Sequence, residues 1–402
     1  MRQLTPRSDH KKHLRSAWIA IMLSGAPIFP LHAHAMENCD SILYSEERAY
    51  HIRDLLADKK YDALETEMAN RLSRIEKGID NDESLRSDLT FAFYGDVAFE
   101  PLLTDWIYAY PKSYAARIAR ASYFYSVGTK KRGGKVADKT SEEQFREMRQ
   151  EFRKAREDIQ EATGLSKTPT LAYAQSFIID RNEAGHAAVL REIRDAQAKF
   201  PKSLALRIAA TYAIGPKWGG SVDEFEESLK AARDARLPDA EVKMMRYGIE
   251  MESAGFYEEM NQQPGRAREH YLIAASICSS AYPWYAAMRI SKKSEDWEGL
   301  LVGANGLLAF RPTDVTGLEN RGYANEKLNR IPASVPDYQA AADSGSSWAQ
   351  NKLGYMYMLG QGVSKDAAKA KLYFEKAAAQ GNKNAAANLI ELGAAAGKNK
   401  GQ

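Results

Sequence analysis

The chain has 402 residues, 44% of them hydrophobic, and a formal net charge of +3. The first 35 residues hold five of the 56 Lys and Arg residues and one of the 53 Asp and Glu residues, so the remainder has 51 basic and 52 acidic side chains. The apparent basicity therefore belongs to the first 35 residues, and nothing in the remaining composition argues for nucleic-acid binding. We therefore expect no nucleic-acid partner.

The first 35 residues have the organisation of a secretory signal peptide. The basic leader comprises Arg2, Arg7, Lys11, Lys12 and Arg15. An apolar run from Ala17 to Leu31 follows, which is interrupted by glycine and proline and is shorter than the roughly 20 apolar residues that span a bilayer. Ala33-His34-Ala35 offers small residues to a signal peptidase, so we expect cleavage after Ala35 and export, most simply to a bacterial periplasm. The alternative is an anchor helix that is retained.

Beyond the leader, apolar spacing predicts helices almost throughout, and no stretch shows strand alternation between turn residues. The predicted helices are 45–58, 61–77, 85–93, 98–110, 141–163, 171–179, 187–200, 222–236, 240–254, 266–277, 283–290, 297–310, 315–328 and 334–342. Short turns between many of them indicate antiparallel helix pairs. A tail, 397–402, is expected to be disordered.

An internal repeat joins the middle helices. Tyr110-Pro111-Lys112-Ser113 recurs 90 residues later as Phe200-Pro201-Lys202-Ser203, and the match continues from Arg117-Ile118-Ala119 to Arg207-Ile208-Ala209. A weaker third copy is Phe310-Arg311-Pro312-Thr313. In each, the aromatic residue closes one helix, proline prevents its continuation, and Ser or Thr caps the next helix. This junction resembles the boundary between units of tetratricopeptide arrays.

The clearest unit runs from Ala349 to Ala385 and has two alanine-rich helices around a glycine-rich loop. Its positions closely resemble a Sel-1-like repeat, a relative of the tetratricopeptide repeat. The matching residues are Ala349, Leu353, Gly354, Tyr357, Gly360, Gln361, Gly362, Val363, Asp366, Lys369, Ala370, Tyr373, Ala377, Ala378, Gly381 and Ala385. Small residues allow close helix approach, glycines permit positive φ in the loop, and Asp366 is placed to cap the second helix.

The region from Tyr44 to Asn325 resembles an uncharacterised bacterial helical domain of unknown function that often precedes such repeats. The residues that carry this resemblance are Arg117, Arg132-Gly133-Gly134, Lys217-Trp218-Gly219-Gly220-Ser221 and Arg321-Gly322-Tyr323-Ala324. The two resemblances imply an all-α fold, a right-handed solenoid of stacked antiparallel helix pairs. They predict a degenerate helical-repeat domain over 36–325 and Sel-1-like repeats over 326–396.

Only two cysteines are present, Cys39 and Cys278. No lipobox precedes Cys39, which argues against a lipoprotein. In an oxidising compartment the two thiols could pair, which would require the N-terminal segment to fold back onto the middle of the array. The alternative is two separate thiols, with Cys278 buried as a small hydrophobic residue.

The sequence shows no familiar catalytic or cofactor motif. His51, His186 and His270 are the histidines beyond the leader, and no two metal-ligating residues have the short spacing of a metal site. Phosphate-binding loops, dinucleotide fingerprints and nucleophile elbows are absent from the sequence. We therefore expect no cofactor, no metal and no enzyme activity.

Two glycine-pair loops could bear a function. The first holds Arg132, Gly133 and Gly134 after two lysines, and the second holds Lys217, Trp218, Gly219 and Gly220. If the repeat copies stack, both loops would emerge on one edge and form an anion-tolerant, aromatic ligand patch. The alternative is that both glycine pairs are ordinary turns and that Trp218 fills a packing gap.

The interpretation that the sequence favours is an exported scaffold or adaptor that binds other proteins or peptides, because solenoids present extended surfaces. Two alternatives stay open. One is a cell-envelope enzyme, hydrolase-like, with a site that the sequence does not reveal. The other is an immunity protein that neutralises a secreted partner, which predicts one tight complex.

Overall fold

A computed structural model describes residues 45–93, 99–134, 139–278 and 280–398. Within these ranges the protein is all-α, with 3₁₀ turns and no strands. None of the helices in these ranges has the length and apolar character needed to cross a bilayer. The predicted signal peptide lies outside the described residues, as do the last four residues, 399–402; the helix that precedes them includes 397 and 398, which the sequence assigns to a disordered tail.

The chain divides into two units, with the division between Ile290 and Ser291. The first unit is built from α1 Glu46–Ala57, α2 Tyr61–Glu76, α3 Asp82–Ala92, α4 Phe99–Ala109, α5 Tyr114–Arg132, α6 Glu142–Leu165, α7 Thr170–Asp180, α8 His186–Lys199, α9 Leu204–Ala213, α10 Val222–Asp234, α11 Asp239–Glu259, α12 Pro264–Ile277 and most of α13 Ala281–Lys293. The second unit continues with α14 Trp297–Phe310, α15 Val315–Lys327, α16 Ile331–Asp343, α17 Ser347–Leu359, α18 Ala367–Ala379 and α19 Lys383–Lys398.

Consecutive helices pair, and each pair stacks on the next. In the first unit α5 packs on α6 and also on α7, while α7 packs on α9 and α9 on α11. In the second unit α17 packs on α18 and on α19. This is the solenoid arrangement, and it confirms the predicted fold class. The predicted start of the Sel-1-like repeats, residue 326, falls inside α15.

The 90-residue repeat has a structural counterpart at the helix starts. Ser113 and Ser203 cap α5 and α9, each hydroxyl oxygen accepting from the backbone N–H three residues ahead at 3.1 Å. The glycine pairs are likewise followed by capping boxes, at Ser141 before α6 and Ser221 before α10. The two copies therefore share their helix-start chemistry as well as their sequence.

Helix α3 is largely buried in the first unit. It packs against α5, α7 and α9, which are the first helices of three successive pairs. Its buried residues include Leu85, Leu89 and, against the usual rule for charged side chains, Asp82, Glu83 and Asp88. These three buried carboxylates therefore need donors that compensate their charge.

Each of the three buried carboxylates of α3 has its own donors. Asp82 caps α9, because its Oδ1 accepts from the N–H of Ala205 at 2.9 Å and its Oδ2 accepts from the Ser203 hydroxyl. Two nitrogens of Arg86 bind Glu83, each at 2.6 Å. The side chain of Asp88, fully shielded from solvent, receives Arg48 at 2.6 Å and Arg71 at 2.8 Å. Buried charges are tolerated when they are paired in this way.

Glycine lets aromatic rings pack tightly in the second unit. A β-carbon built on Gly322 would lie 2.6 Å from the ring of Tyr338, and one built on Gly354 would lie 2.6 Å from the ring of Phe374. Ile390, 36 residues after Gly354, takes the corresponding place in α19, and 76% of it is exposed. The close helix approach predicted at Gly354 is thus present, and it is made by an aromatic side chain.

Candidate functional site

The first glycine-pair loop is fixed by its own neighbours. Arg132 ends α5, and its guanidinium lies over the ring of Phe145 at 5.7 Å from the centroid. The carbonyl oxygen of Arg132 accepts from Gln144 Nε2 at 3.0 Å. Gly133 ends the helix with φ +75°, a conformation that favours glycine, and Gly134 has no neighbouring atom within 4 Å of an ideal β-carbon.

The second loop is a compact 3₁₀ turn. The Trp218 ring lies under the guanidinium of Arg181, at 4.4 Å from the centroid. Lys217 Nζ pairs with Glu259 at 3.0 Å, and Gly219 adopts φ +90°. A β-carbon on Gly220 would lie 1.7 Å from a backbone carbonyl oxygen, so only glycine fits there. The Lys217–Glu259 ion pair and the contact of Trp218 with Arg181 therefore hold the turn in place.

Arg181 is a residue that the sequence interpretation missed, and it ties the second loop to two other helices. Its Nη1 donates to the Tyr212 carbonyl at 2.7 Å, and its Nη2 donates to the Tyr125 hydroxyl at 3.2 Å. Tyr125 lies in α5, seven residues or about 10 Å before Arg132. The structure thus gives each loop its own partners; a single ligand patch formed by both loops remains a prediction.

A histidine–carboxylate pair stabilises the helix that follows the second loop. His186 Nε2 and Glu224 Oε1 are joined by a 2.9 Å hydrogen bond, and Glu224 also accepts from Ser221 N at 2.8 Å. Burial favours the neutral acid, but these hydrogen bonds outweigh it and hold the pKa of Glu224 below its usual value. The His186–Glu224 pair holds the start of α10 in place. Sequence spacing did not predict that these two residues meet.

Two carboxyl groups of α11 have raised pKa values. Burial, reinforced by the charge of Asp82, raises the pKa of Glu241 to about 7. Burial also raises the pKa of Glu252, and the positive charges of Arg181 and Lys217 oppose that rise. Groups shifted in this way are common in catalytic sites. Asp82, whose charge acts on Glu241, already accepts two hydrogen bonds at the start of α9 and therefore has a structural role.

Among the described residues, no group of three or more His, Cys, Asp and Glu side chains is arranged to hold a metal ion. His270 binds Glu250 through Nδ1 at 2.6 Å and stacks on Tyr257 with ring centroids 5.3 Å apart. Cys278 is fully buried in the core of the first unit. Cys39 lies outside the described residues, so the pairing of the two cysteines stays a prediction.

Comparison with known proteins identifies the second unit's clearest segment. Residues 349–382 match the Sel1 repeat family, which confirms the resemblance inferred from Ala349, Gly354, Asp366 and their neighbours. The structure places these residues as expected: Ala349, Leu353, Ala370, Ala377 and Ala385 are buried, and Gly360, Gly362 and Gly381 have positive φ. Asp366 accepts from Ala368 N and Lys369 N, both at 3.0 Å.

A comparison with curated proteins finds no match. Solved structures that this chain resembles include the following two. A Sel1 repeat protein from Oxalobacter formigenes has 17% identity and a TM-score of 0.28, over 76% of this chain and 94% of that one. The protein c5321, a protective antigen in uropathogenic Escherichia coli strains with an SLR fold, has 14% identity and a TM-score of 0.32, over 85% of this chain and 82% of that one. These values are too low to transfer a function.

Proposed function

We propose that this protein is an exported, non-catalytic scaffold or adaptor that binds other proteins in the cell envelope. The observation that carries the proposal is the Sel1 repeat at 349–382, because Sel1 repeats generally mediate protein interactions. Export rests on the predicted signal peptide, 1–35. Stacked helix pairs support it further, since they expose long surfaces on which partner residues can be recognised at scattered positions.

The test is capture of partners by the mature chain. The full-length gene is expressed with a C-terminal tag in a bacterial host that exports it, periplasmic proteins are crosslinked, and captured proteins are identified by mass spectrometry. N-terminal sequencing of the bait should begin at Met36. We expect one or more proteins to be enriched over an unrelated exported bait. A bait that is found in the periplasm and enriches no protein contradicts the proposal.

The captured complexes, with their dissociation rates measured after purification, distinguish an adaptor from an immunity protein. One partner captured in equal amount to the bait, with a slow dissociation rate, indicates an immunity protein. Several partners with faster exchange indicate an adaptor.

A further inference from the structure

Three aromatic rings meet edge to face in the second unit. Trp297 approaches Tyr323 with ring centroids 5.6 Å apart and planes at 84°, and Trp348 approaches Tyr323 at 6.3 Å and 67°. Tyr338 packs in turn on Trp348 at 5.4 Å. Edge-to-face contacts of this kind fix ring positions. All of these rings except Tyr338 are only partly buried, so they contribute to a surface.

Three lysines converge on the central ring of this group. The Nζ atoms of Lys292, Lys327 and Lys352 lie 4.9, 5.4 and 5.9 Å from the Tyr323 ring centroid. Since each nitrogen is within 6 Å of one point, no two are more than about 12 Å apart, close to the Debye length of about 10 Å in 0.1 M salt. We call these three lysines with Trp297, Tyr323 and Trp348 the lysine–aromatic cluster.

The charges of the cluster are only partly balanced within the described residues. Lys352 pairs with Glu326 at 2.8 Å, and Glu326 also accepts from the Tyr338 hydroxyl. Lys292 donates to the neutral amide of Asn320 at 3.4 Å. Of two further carboxylates on these helices, Glu298 pairs with Arg330, whereas the partner of Glu319 is the neutral Ser346 hydroxyl. Like charges held this close repel one another, and an anionic ligand would relieve that repulsion.

An exposed apolar surface continues from the cluster along α17. Trp348, Lys352, Tyr355 and Leu359 recur at intervals of four, three and four residues, so they lie on one face of the helix. Tyr355 is 40% exposed and Leu359 is 46% exposed. Large exposed hydrophobic residues beside a charged cluster are typical of interaction surfaces.

We propose that the lysine–aromatic cluster and the adjoining face of α17 bind an acidic peptide segment of the partner, one that carries glutamate or aspartate together with apolar side chains. The carboxylates pair with the three ammonium groups, and the apolar side chains cover Tyr355 and Leu359. The inference rests on the proposed scaffold function and adds the chemistry of its partner.

The test uses a fluorescein-labelled twelve-residue peptide of repeated Glu-Glu-Leu, with fluorescence anisotropy on the full mature chain. Matched peptides carry Gln in place of Glu, or Gly in place of Leu. We expect the parent peptide to bind at least tenfold more tightly than either matched peptide. Added salt should weaken binding through screening.

A matched pair of triple variants locates the surface. Peptide binding should weaken at least tenfold in the first variant, Lys292→Gln/Lys327→Gln/Lys352→Gln. The control variant removes the same charge from three exposed lysines elsewhere in the unit, Lys365→Gln/Lys371→Gln/Lys383→Gln. Its affinity for the peptide should change less than twofold. Thermal unfolding of each variant shows whether the fold is kept. If the first triple variant unfolds, a double variant at the exposed residues Lys292 and Lys327 replaces it. That double variant should weaken peptide binding at least threefold.

Equal binding by the two triple variants overturns the inference, and so does equal binding of the Glu and Gln peptides. Binding of phosphatidylglycerol vesicles through the same lysines, with no peptide binding, also overturns it. The scaffold proposal is tested separately: if the first triple variant captures the same partners as the wild type, the scaffold stands and the acidic-segment inference fails.

Discussion

A β-carbon built on Gly220 would lie 1.7 Å from the carbonyl oxygen of Ile214, far inside any nonbonded contact, and 2.8 Å from Glu224. One built on Gly134, the last residue of the other glycine pair, would meet no atom within 4 Å. Each glycine is the second of a glycine pair near the end of a repeat copy, but only Gly220 is required by the backbone around it. That requirement is structural, and it ties the second loop to the capping box of α10.

Gly220→Ala should therefore destabilise the first unit by more than about 3 kcal/mol, because backbone atoms must move to admit the methyl group. Gly134→Ala is the matched control and should change stability by less than about 1 kcal/mol. Thermal and urea unfolding measure both. Similar losses in the two variants would contradict the assignment.

The pH dependence of stability has a specific source in Glu241. Its folded-state pKa of about 7 exceeds the ordinary value of 4.5, so the stability it contributes is complete below pH 4.5 and is lost as pH rises through 7. Glu241→Gln removes this loss. We expect the variant to match the wild type near pH 4.5 and to be more stable at pH 8, by up to about 3 kcal/mol. Unfolding in urea across that range is the measurement, and an equal difference at both ends would refute it.

At the scale of elements, α3 shows how charge can organise a core. The helix carries three buried carboxylates, and arginines or a helix start compensate each of them. Asp82 makes the connection to the repeat, because both of its oxygens accept hydrogen bonds from the start of α9. The position of α3 against three successive pairs therefore depends on polar contacts as well as on Leu85 and Leu89.

Asp82→Ala should cost about 2 to 4 kcal/mol, because it leaves two donors at the start of α9 unsatisfied. Asp234→Ala, which removes an exposed carboxylate paired with Lys230, should cost less than about 1 kcal/mol. Hydrogen exchange of the α9 amides should increase in the first variant alone. Loss of stability without faster exchange in α9 would argue against the capping role.

Helix positions were largely predictable, because apolar spacing and caps are local signals. The predicted helix 297–310 coincides with α14, and Asp366 caps α18 as its place in the repeat indicates. The depth of α3 was not predictable, since Asp82, Glu83 and Asp88 suggest a solvated surface until their partners are known. The lysine–aromatic cluster was also missed: Lys292, Lys327 and Lys352 follow no periodic spacing, and stacking alone brings them together.

At the scale of the whole molecule, the chain comprises two units and has a single possible covalent link between distant segments, Cys39 with Cys278. Cys278 is enclosed by the core of the first unit. A crosslink over so long a segment removes much conformational freedom from the unfolded chain. On the loop-entropy account it would stabilise the fold by about 5 kcal/mol.

If the cysteines pair in the exported protein, alkylation without reductant should label neither, and peptide mapping should recover the crosslinked peptides. Reductant should lower the Tm of the wild type but leave that of Cys39→Ser unchanged. Two alkylated cysteines in protein purified from the periplasm without reductant would show that the pairing is wrong.

The place of Ile390 has a consequence for growth of the array. At Gly322 and Gly354, the missing side chain admits a ring from the second helix of the same pair. At the same place in α19, a β-branched side chain fills that space and points outward. A helix that paired with α19 in the same register could not seat a ring there. Ile390 therefore removes from α19 the close ring contact that joins the two helices of the preceding pairs.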